Sequence, residues 1–259
     1  MLHATFETSL GTVDLWSEKS PDAVSSQDSY LIDERQQGLR LAVLDGVTPM
    51  TPEPWRLGLD RARYAAEITR AVLLADVPLK QALDLAQVEL YRPEIANSRE
   101  RSYTGVVAVD VPLDAKGDWA QVIIALDCEA WAYQKGHWQV LDPGDMLQPA
   151  ARQAFQDLVA TKDKLDFEKL LAAESKLLGD ENCWRRTGVG QFEAVQTATF
   201  AISGWQRLVL ASDGARIDAR RLERLGGWMS ELRGWEESNE DPERYTRHGD
   251  VTVLRLNAV

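Results

Sequence analysis

Residues 41–46 read LAVLDG and residues 208–214 read LVLASDG, so each is an apolar, strand-like run that ends in Asp-Gly. A third run, VIIALD at residues 122–127, also ends in an aspartate, Asp127. A carboxylate at the tip of a strand is the hard oxygen ligand that Mg or Mn prefers, and a following glycine lets the backbone approach an ion. A single Asp-Gly pair is more often a hairpin turn, so the metal interpretation depends on several such strand ends occurring together.

The predicted elements around these runs occur in blocks. The first half of the chain contains strands at 5–10, 13–16, 29–32 and 39–44, predicting two hairpins, then helices at 57–74 and 78–90. The second half begins with strands at 105–111, 119–126, 129–134 and 137–141, which predict an antiparallel meander. Two helices follow, at 149–160 and 165–178. The chain then has strands at 194–202 and 207–211, an arginine-rich helix at 218–232 and a last strand at 250–256. Blocks of this kind favour antiparallel sheets covered by helix pairs over a doubly wound parallel sheet.

Composition limits the functional classes. The chain has 259 residues, is 44% hydrophobic and shows no long linker, so we expect a single domain over residues 1–259. Its net charge of -12 has the wrong sign for binding DNA or RNA. The sequence contains no membrane-spanning apolar run and no secretory signal, which predicts a cytoplasmic protein without membrane attachment. Cys128 and Cys183 are far apart and are expected to be free thiols.

Five segments follow one another in an order that resembles the metal-dependent, type-2C (PPM-type) protein phosphatases. They are Ser26-Gln27-Asp28, residues 42–46, Leu126-Asp127-Cys128, residues 210–214 and residues 249–253. The resemblance extends from about residue 12 to residue 256. Within the family, the chain is similar to divergent bacterial members. It implies an α+β fold, a four-layer αββα sandwich of two antiparallel sheets flanked by helix pairs. It also implies hydrolysis of phosphoserine or phosphothreonine in proteins by a metal-activated water.

The resemblance implies specific roles for aspartates at the sheet edge. Two Mg or Mn ions are expected, with Asp45 bridging both, the Gly46 carbonyl binding one and Asp213 binding the other. Asp28 is expected to support a metal-bound water. The expected third carboxylate aligns with Gly249, and a one-residue slip in the preceding loop would bring Asp250 into that position. The implied partners are a phosphorylated signalling protein and the kinase that phosphorylates it.

Several positions depart from the family pattern. Gln27 stands where the family has an acid, and residues 21–25 lack the arginine that commonly grips the substrate phosphate. Asp127 lacks the glycine that usually precedes it and is predicted either to be structural or, at most, to support the metal ligands without binding a metal itself. Arg186 and its neighbour Arg185 are either replacements for the missing arginine or a solvated pair.

These departures leave alternative functions open. One is a catalytically weak or inactive relative that acts as a protein-binding or regulatory module. Another is a metal-dependent nuclease, which the acidic charge opposes. The arginines of helix 218–232 form a basic face that either docks an acidic partner or is simply solvated, with Trp228 and Trp235 in the core.

Overall fold

The computed structural model describes residues 1–20, 26–47, 61–91, 102–113, 119–141, 147–160, 180–238 and 250–258. Within these ranges the strands are β1 Leu2–Thr8, β2 Gly11–Glu18, β3 Ser29–Arg35, β4 Gly38–Gly46, β5 Thr104–Pro112, β6 Trp119–Ala125, β7 Glu129–Gln134, β8 His137–Val140, β9 Ala198–Ser203, β10 Trp205–Ala211 and β11 Val251–Ala258. The helices are α1 Arg61–Leu73, α2 Leu79–Leu90, α3 Pro149–Ala160, α4 Ala219–Glu223 and α5 Leu225–Ser238.

The strands form two antiparallel sheets. The first, sheet A, has the order β1-β2-β11-β10-β7-β8, and the second, sheet B, has the order β3-β4-β5-β6-β9. Three tight hairpins, β1/β2, β3/β4 and β7/β8, agree with the local turn signals of the sequence. In the β7/β8 turn, Lys135 and Gly136 both have positive φ, as a type I′ hairpin turn requires.

The two sheets pack face to face and carry helices on their outer sides. Buried aliphatic residues from both sheets, such as Leu41 and Val109 of sheet B and Leu208 and Leu254 of sheet A, form the central core. Helices α1 and α2 cover the outer face of sheet B through a second core. Helices α4 and α5 cover sheet A through a third. The structure therefore confirms the predicted αββα sandwich.

The structure corrects two expectations. The predicted meander is wrong because the chain leaves sheet B after β6 and enters sheet A at β7, a crossing at which Leu126 has φ +59°. β9 and β10 also lie in different sheets, with the crossing at Gly204. The arginine-rich helix is interrupted at Arg224, which has a non-helical backbone, so that it becomes α4 and α5. The helix expected at 165–178 lies outside the described residues.

Two further observations concern location and redox state. In the described part of the chain no helix is long and apolar enough to cross a bilayer. Cys128 and Cys183 are both free thiols, as predicted, and Cys128 is buried.

Candidate active site

Strand register brings three aspartates to one end of sheet B. Ser29, which follows Asp28, pairs with Leu44, and Asp45 itself pairs with Gly105. The next residue of β5 pairs with Ala125, two residues before Asp127. Because neighbouring antiparallel strands start and stop at the same edge, Asp28, Asp45 and Asp127 lie at a common sheet end.

Sheet A contributes two more aspartates at the same end of the sandwich. Ala211 at the end of β10 pairs with Val253 near the start of β11, so Asp213 and Asp250 lie at one edge. The Asp250 carboxylate accepts hydrogen bonds from the backbone N–H of Ser20, at 2.5 Å, and from that of Gln27 beside Asp28. These bonds join the edge of sheet A to the segment that leads into sheet B.

Asp28 is the most deeply enclosed of these residues, with 3% of its surface exposed. The pKa of Asp28 is raised from 3.8 to about 7, mainly by burial and also by the charges of Asp250 and Asp213, while the nearby Ser212 and Thr252 hydroxyls oppose the rise. Both carboxylate oxygens of Asp28 are buried, and among the described residues neither has a well-formed hydrogen-bond partner. Such a group is costly in isolation and points to a function for the site.

The Asp45 carboxyl is also shifted toward its protonated form. Burial, followed by the charges of Asp28, Asp213 and Asp127, raises the pKa of Asp45 well above its ordinary value. Its backbone is fixed because the Thr104 hydroxyl donates a hydrogen bond of 2.7 Å to the Asp45 carbonyl oxygen. The side chain is therefore presented from a rigid strand to a group of like charges.

Gly46 is required by its packing. A Cβ at this position would lie 2.6 Å from the Gln27 carbonyl oxygen and 2.8 Å from the Ala62 carbonyl oxygen in α1. Only glycine lets the strand end fit between these two backbone segments. Packing alone therefore requires glycine at position 46, whether or not the Gly46 carbonyl also binds a metal.

Asp127 belongs to the same electrostatic cluster, although the sequence interpretation left it out of the site. Burial and the charge of Asp213 raise the pKa of Asp127 to about 7, and Arg186 lowers it. The strand-end position of Asp127 was the signal that could have included it. Arg186 is itself buried, with 8% exposed, so the alternative of a solvated pair is wrong for this residue.

A small apolar unit covers this end of sheet B. Leu126, Leu147, Ala151, Trp184 and Phe192 form a separate core, against which Val47 and Tyr103 pack. The loop that carries Arg186 is attached to β5 by two backbone hydrogen bonds between Thr104 and Val189, at 3.1 and 2.9 Å. Asp127 directly follows Leu126 of this unit, and Arg186 lies two residues after its Trp184.

The donor set fits divalent cations by its chemistry. Several carboxylates raise one another's pKa, so a cation that keeps them ionised would relieve their repulsion, and carboxylate oxygens suit Mg or Mn. Among the residues that the structure describes, no group of three or more acidic, histidine or cysteine side chains converges closely enough to enclose an ion. The negative charge of the cluster therefore suits a divalent cation, but the described carboxylates do not lie close enough together to surround one.

A cavity of about 360 Å³ lies away from these carboxylates, lined by residues that include Arg40, Asp110 and Val77. Arg40 is 2% exposed and makes two hydrogen bonds of 2.5 and 2.6 Å to the Asp110 carboxylate. It also donates to the carbonyl oxygens of Leu73 and Val77, at 2.9 and 2.8 Å. These contacts hold the end of α1 onto sheet B, so we regard the cavity wall as structural.

Solved structures share this architecture across almost the whole chain. RsbX in complex with magnesium has a TM-score of 0.62 at 7% identity, covering 100% of both chains. The serine/threonine phosphatase Stp1 from Staphylococcus aureus has a TM-score of 0.62 at 14% identity, covering 100% of this chain and 99% of that one. The chain has the type-2C phosphatase fold.

A third type-2C structure is PppA, a regulatory component of the type VI secretion system in Pseudomonas aeruginosa, with a TM-score of 0.58 at 15% identity over 95% of this chain and 97% of that one. No protein-family model matches the sequence, and no curated protein matches it. The type-2C likeness is therefore one of fold, and the chemistry has to be argued from the residues of this chain.

Proposed function

We propose that this chain is a metal-dependent protein serine/threonine phosphatase. The observation that carries the proposal is the group of aspartates at one end of the sandwich, where Asp28, Asp45 and Asp127 are pushed toward protonation by burial and by one another. A fold does not maintain such unfavourable groups for stability, and perturbed carboxylates in a cluster are typical of catalytic sites.

Four positions would hold the metals. Asp45 would bridge two ions, the Gly46 carbonyl and Asp213 would each bind one of them, and Asp250 would supply a further carboxylate. When bound, a pair of Mg or Mn ions supplies Lewis acidity and makes water a nucleophile near neutral pH. Asp213 is exposed, so its carboxylate remains accessible to solvent and to an ion.

The remaining residues would orient and balance the reactants. Asp28 would accept a hydrogen bond from the attacking water, which its unsatisfied carboxylate oxygens allow. Arg186 would balance the charge of Asp127 at the covered side of the cluster. The substrate would be a phosphoserine or phosphothreonine side chain of a protein, with the cognate kinase as its regulatory counterpart and the cytoplasm as the compartment.

Hydrolysis of an aryl phosphate tests the proposal. We expect turnover with Mn, none after chelation, and a loss of at least about a hundredfold in Asp45→Asn and Asp213→Asn, as is common when charge stabilisation in the transition state is removed. Asp84→Asn, at an exposed position of α2, is the matched control and should retain full activity. Activity that persists in both site variants would refute the metal mechanism.

One observation favours a second candidate, a catalytically weak or inactive regulatory module. Both carboxylate oxygens of Asp250 already accept backbone N–H groups, which directs this carboxylate toward holding the Gln27 segment. Binding of Mn without turnover of an aryl phosphate or of phosphopeptides would favour this candidate. Turnover that depends on Mn would exclude it.

A further inference from the structure

Asp213 lies in a short helical turn, Asp213–Ala215, directly after β10. Its side chain is exposed, and within the described ranges its carboxylate receives no hydrogen bond and no ion pair. Among the described residues, it is the backbone carrying this carboxylate that is held by hydrogen bonds. The two ends of the turn are held in different ways.

The entry to the turn is fixed to the neighbouring strand. The Ser212 N–H donates to the Thr252 carbonyl oxygen at 3.0 Å, and the Thr252 N–H donates to the Ser212 hydroxyl oxygen at 3.0 Å. Both residues are buried, so these bonds extend the β10/β11 ladder one step past the last strand pair. This fixes the direction in which the chain reaches Asp213.

The exit from the turn is held by helices α4 and α5. The Trp228 indole N–H donates to the Ala215 carbonyl oxygen at 3.0 Å, and the Arg221 guanidinium donates to the Arg216 carbonyl oxygen. The same guanidinium lies 3.9 Å from the centre of the Trp228 ring and 4.7 Å from that of Trp235. Both distances lie within the range of a cation–π contact, which restrains the position of the cation.

The exit also has an unusual backbone. Arg216 has φ +48° and ψ +51°, a left-handed conformation that an arginine adopts only under constraint. In this conformation the Arg216 N–H donates to the Asp213 carbonyl oxygen at 3.1 Å and closes the turn. Trp228 and Arg221 bind the carbonyl oxygens of Ala215 and Arg216, which lie before and after the Arg216 Cα.

From this arrangement we infer that Arg221 and Trp228 are positioning residues for the Asp213 carboxylate. The inference deepens the proposed function and rests on it, because the consequence of the position is metal affinity. Residues that orient a ligand without touching the ion typically change affinity 10- to 100-fold when replaced. Among the arginines of α4, Arg221 thus contacts the turn that carries Asp213. This role is additional to the two alternatives from the sequence, docking of an acidic partner or simple solvation.

Direct measurement of Mn binding by titration calorimetry tests this inference. We expect Arg221→Met and Trp228→Phe to weaken binding about 10- to 100-fold, and Arg221→Lys to recover part of the loss because it keeps the charge and one donor. Arg220→Met is the matched control, since Arg220 is exposed on the same helix, and it should bind as the unaltered protein does. Trp228→Phe keeps an aromatic ring at this position but removes the N–H donor and part of the ring volume, so it remains informative if Arg221→Met does not fold.

A double-mutant comparison separates positioning from general stability. If Arg221 acts through Asp213, Arg221→Met should have no further effect on Mn affinity in an Asp213→Asn background. An equal loss in both backgrounds, or unchanged affinity in both Arg221→Met and Trp228→Phe, would overturn the inference while leaving the metal centre intact. Failure of the unaltered protein to bind Mn would instead overturn the proposed function, and the inference with it.

Discussion

Removing the charge of Asp28 should stabilise the metal-free protein in a pH-dependent way. The pKa of Asp28 is about 7 in the fold and near 3.8 when the chain is unfolded, so the folded state holds the extra proton between these values. Stability therefore falls as pH rises from about 4 to about 7 and then levels off. Asp28→Asn removes the contribution of Asp28 to this dependence, because an amide does not titrate.

The size of the effect follows from the pKa difference. Roughly three pKa units correspond to a penalty on the order of 4 kcal/mol at pH 8 for the ionised carboxylate. At pH 5 the folded carboxyl is mostly protonated, and the penalty falls to the order of 2 kcal/mol. Terms that do not depend on pH, such as hydrogen bonds of the new amide, cancel when the two conditions are compared. The stability gained by Asp28→Asn should thus be larger at pH 8 by about 2 kcal/mol.

Urea unfolding in EDTA at pH 5 and pH 8 measures this difference. Asp84→Asn, which changes an exposed carboxylate, is the control and should show no comparable gain at pH 8. A gain from Asp28→Asn that is equal at both pH values would show that Asp28 is not held as an uncompensated carboxyl. Adding Mn should stabilise the unaltered protein more than the variant, because the ion binds the folded state.

Three other changes have defined outcomes. Arg40→Met should destabilise the fold by about 3–5 kcal/mol in urea unfolding, because it leaves the Asp110 carboxylate and the carbonyls at the end of α1 without their cation; a loss below about 1 kcal/mol would contradict a buried role. Gly46→Ala should lower stability by about 1–3 kcal/mol or more, since its Cβ would overlap the Gln27 carbonyl; an unchanged melting temperature would refute that packing. Lys135→Asn should raise stability by a few tenths of a kcal/mol, because asparagine tolerates the positive φ of the β7/β8 turn; destabilisation would argue against this turn type.

Local signals in the sequence predicted the strands and helices well, but they did not predict which strands share a sheet. The β3/β4 hairpin and helix α2 follow from alternation, turn residues and helical periodicity, all of which act over a few residues. The strands β6 and β7 were recognised, but their assignment to different sheets was not, because the end of a strand at Asp127 does not tell which sheet the next strand joins. The break at Arg224 was missed because residues 219–225 are all strong helix formers.

The candidate site was predicted unevenly for the same reason. Asp28, Asp45 and Asp213 were identified because each lies at a recognisable strand end, although their roles as ligands and base stay predictions. Asp127 was set aside because its neighbours differ from the family pattern, and only the fold shows its coupling to Asp213. The burial of Arg186, two residues after Trp184, is a property of the tertiary structure that no local sequence pattern describes.

The strand order of the two sheets has a consequence for synthesis on the ribosome. Sheet B uses strands up to β9, so it can pair fully while β10 and β11 are still to be made. Until then β2 lacks the neighbour that joins it to the rest of sheet A, and the inner face of sheet B, including Leu41 and Val109, has no complete layer to pack against. A nascent chain halted after β9 would expose this apolar surface, making it a client for chaperones and prone to aggregate.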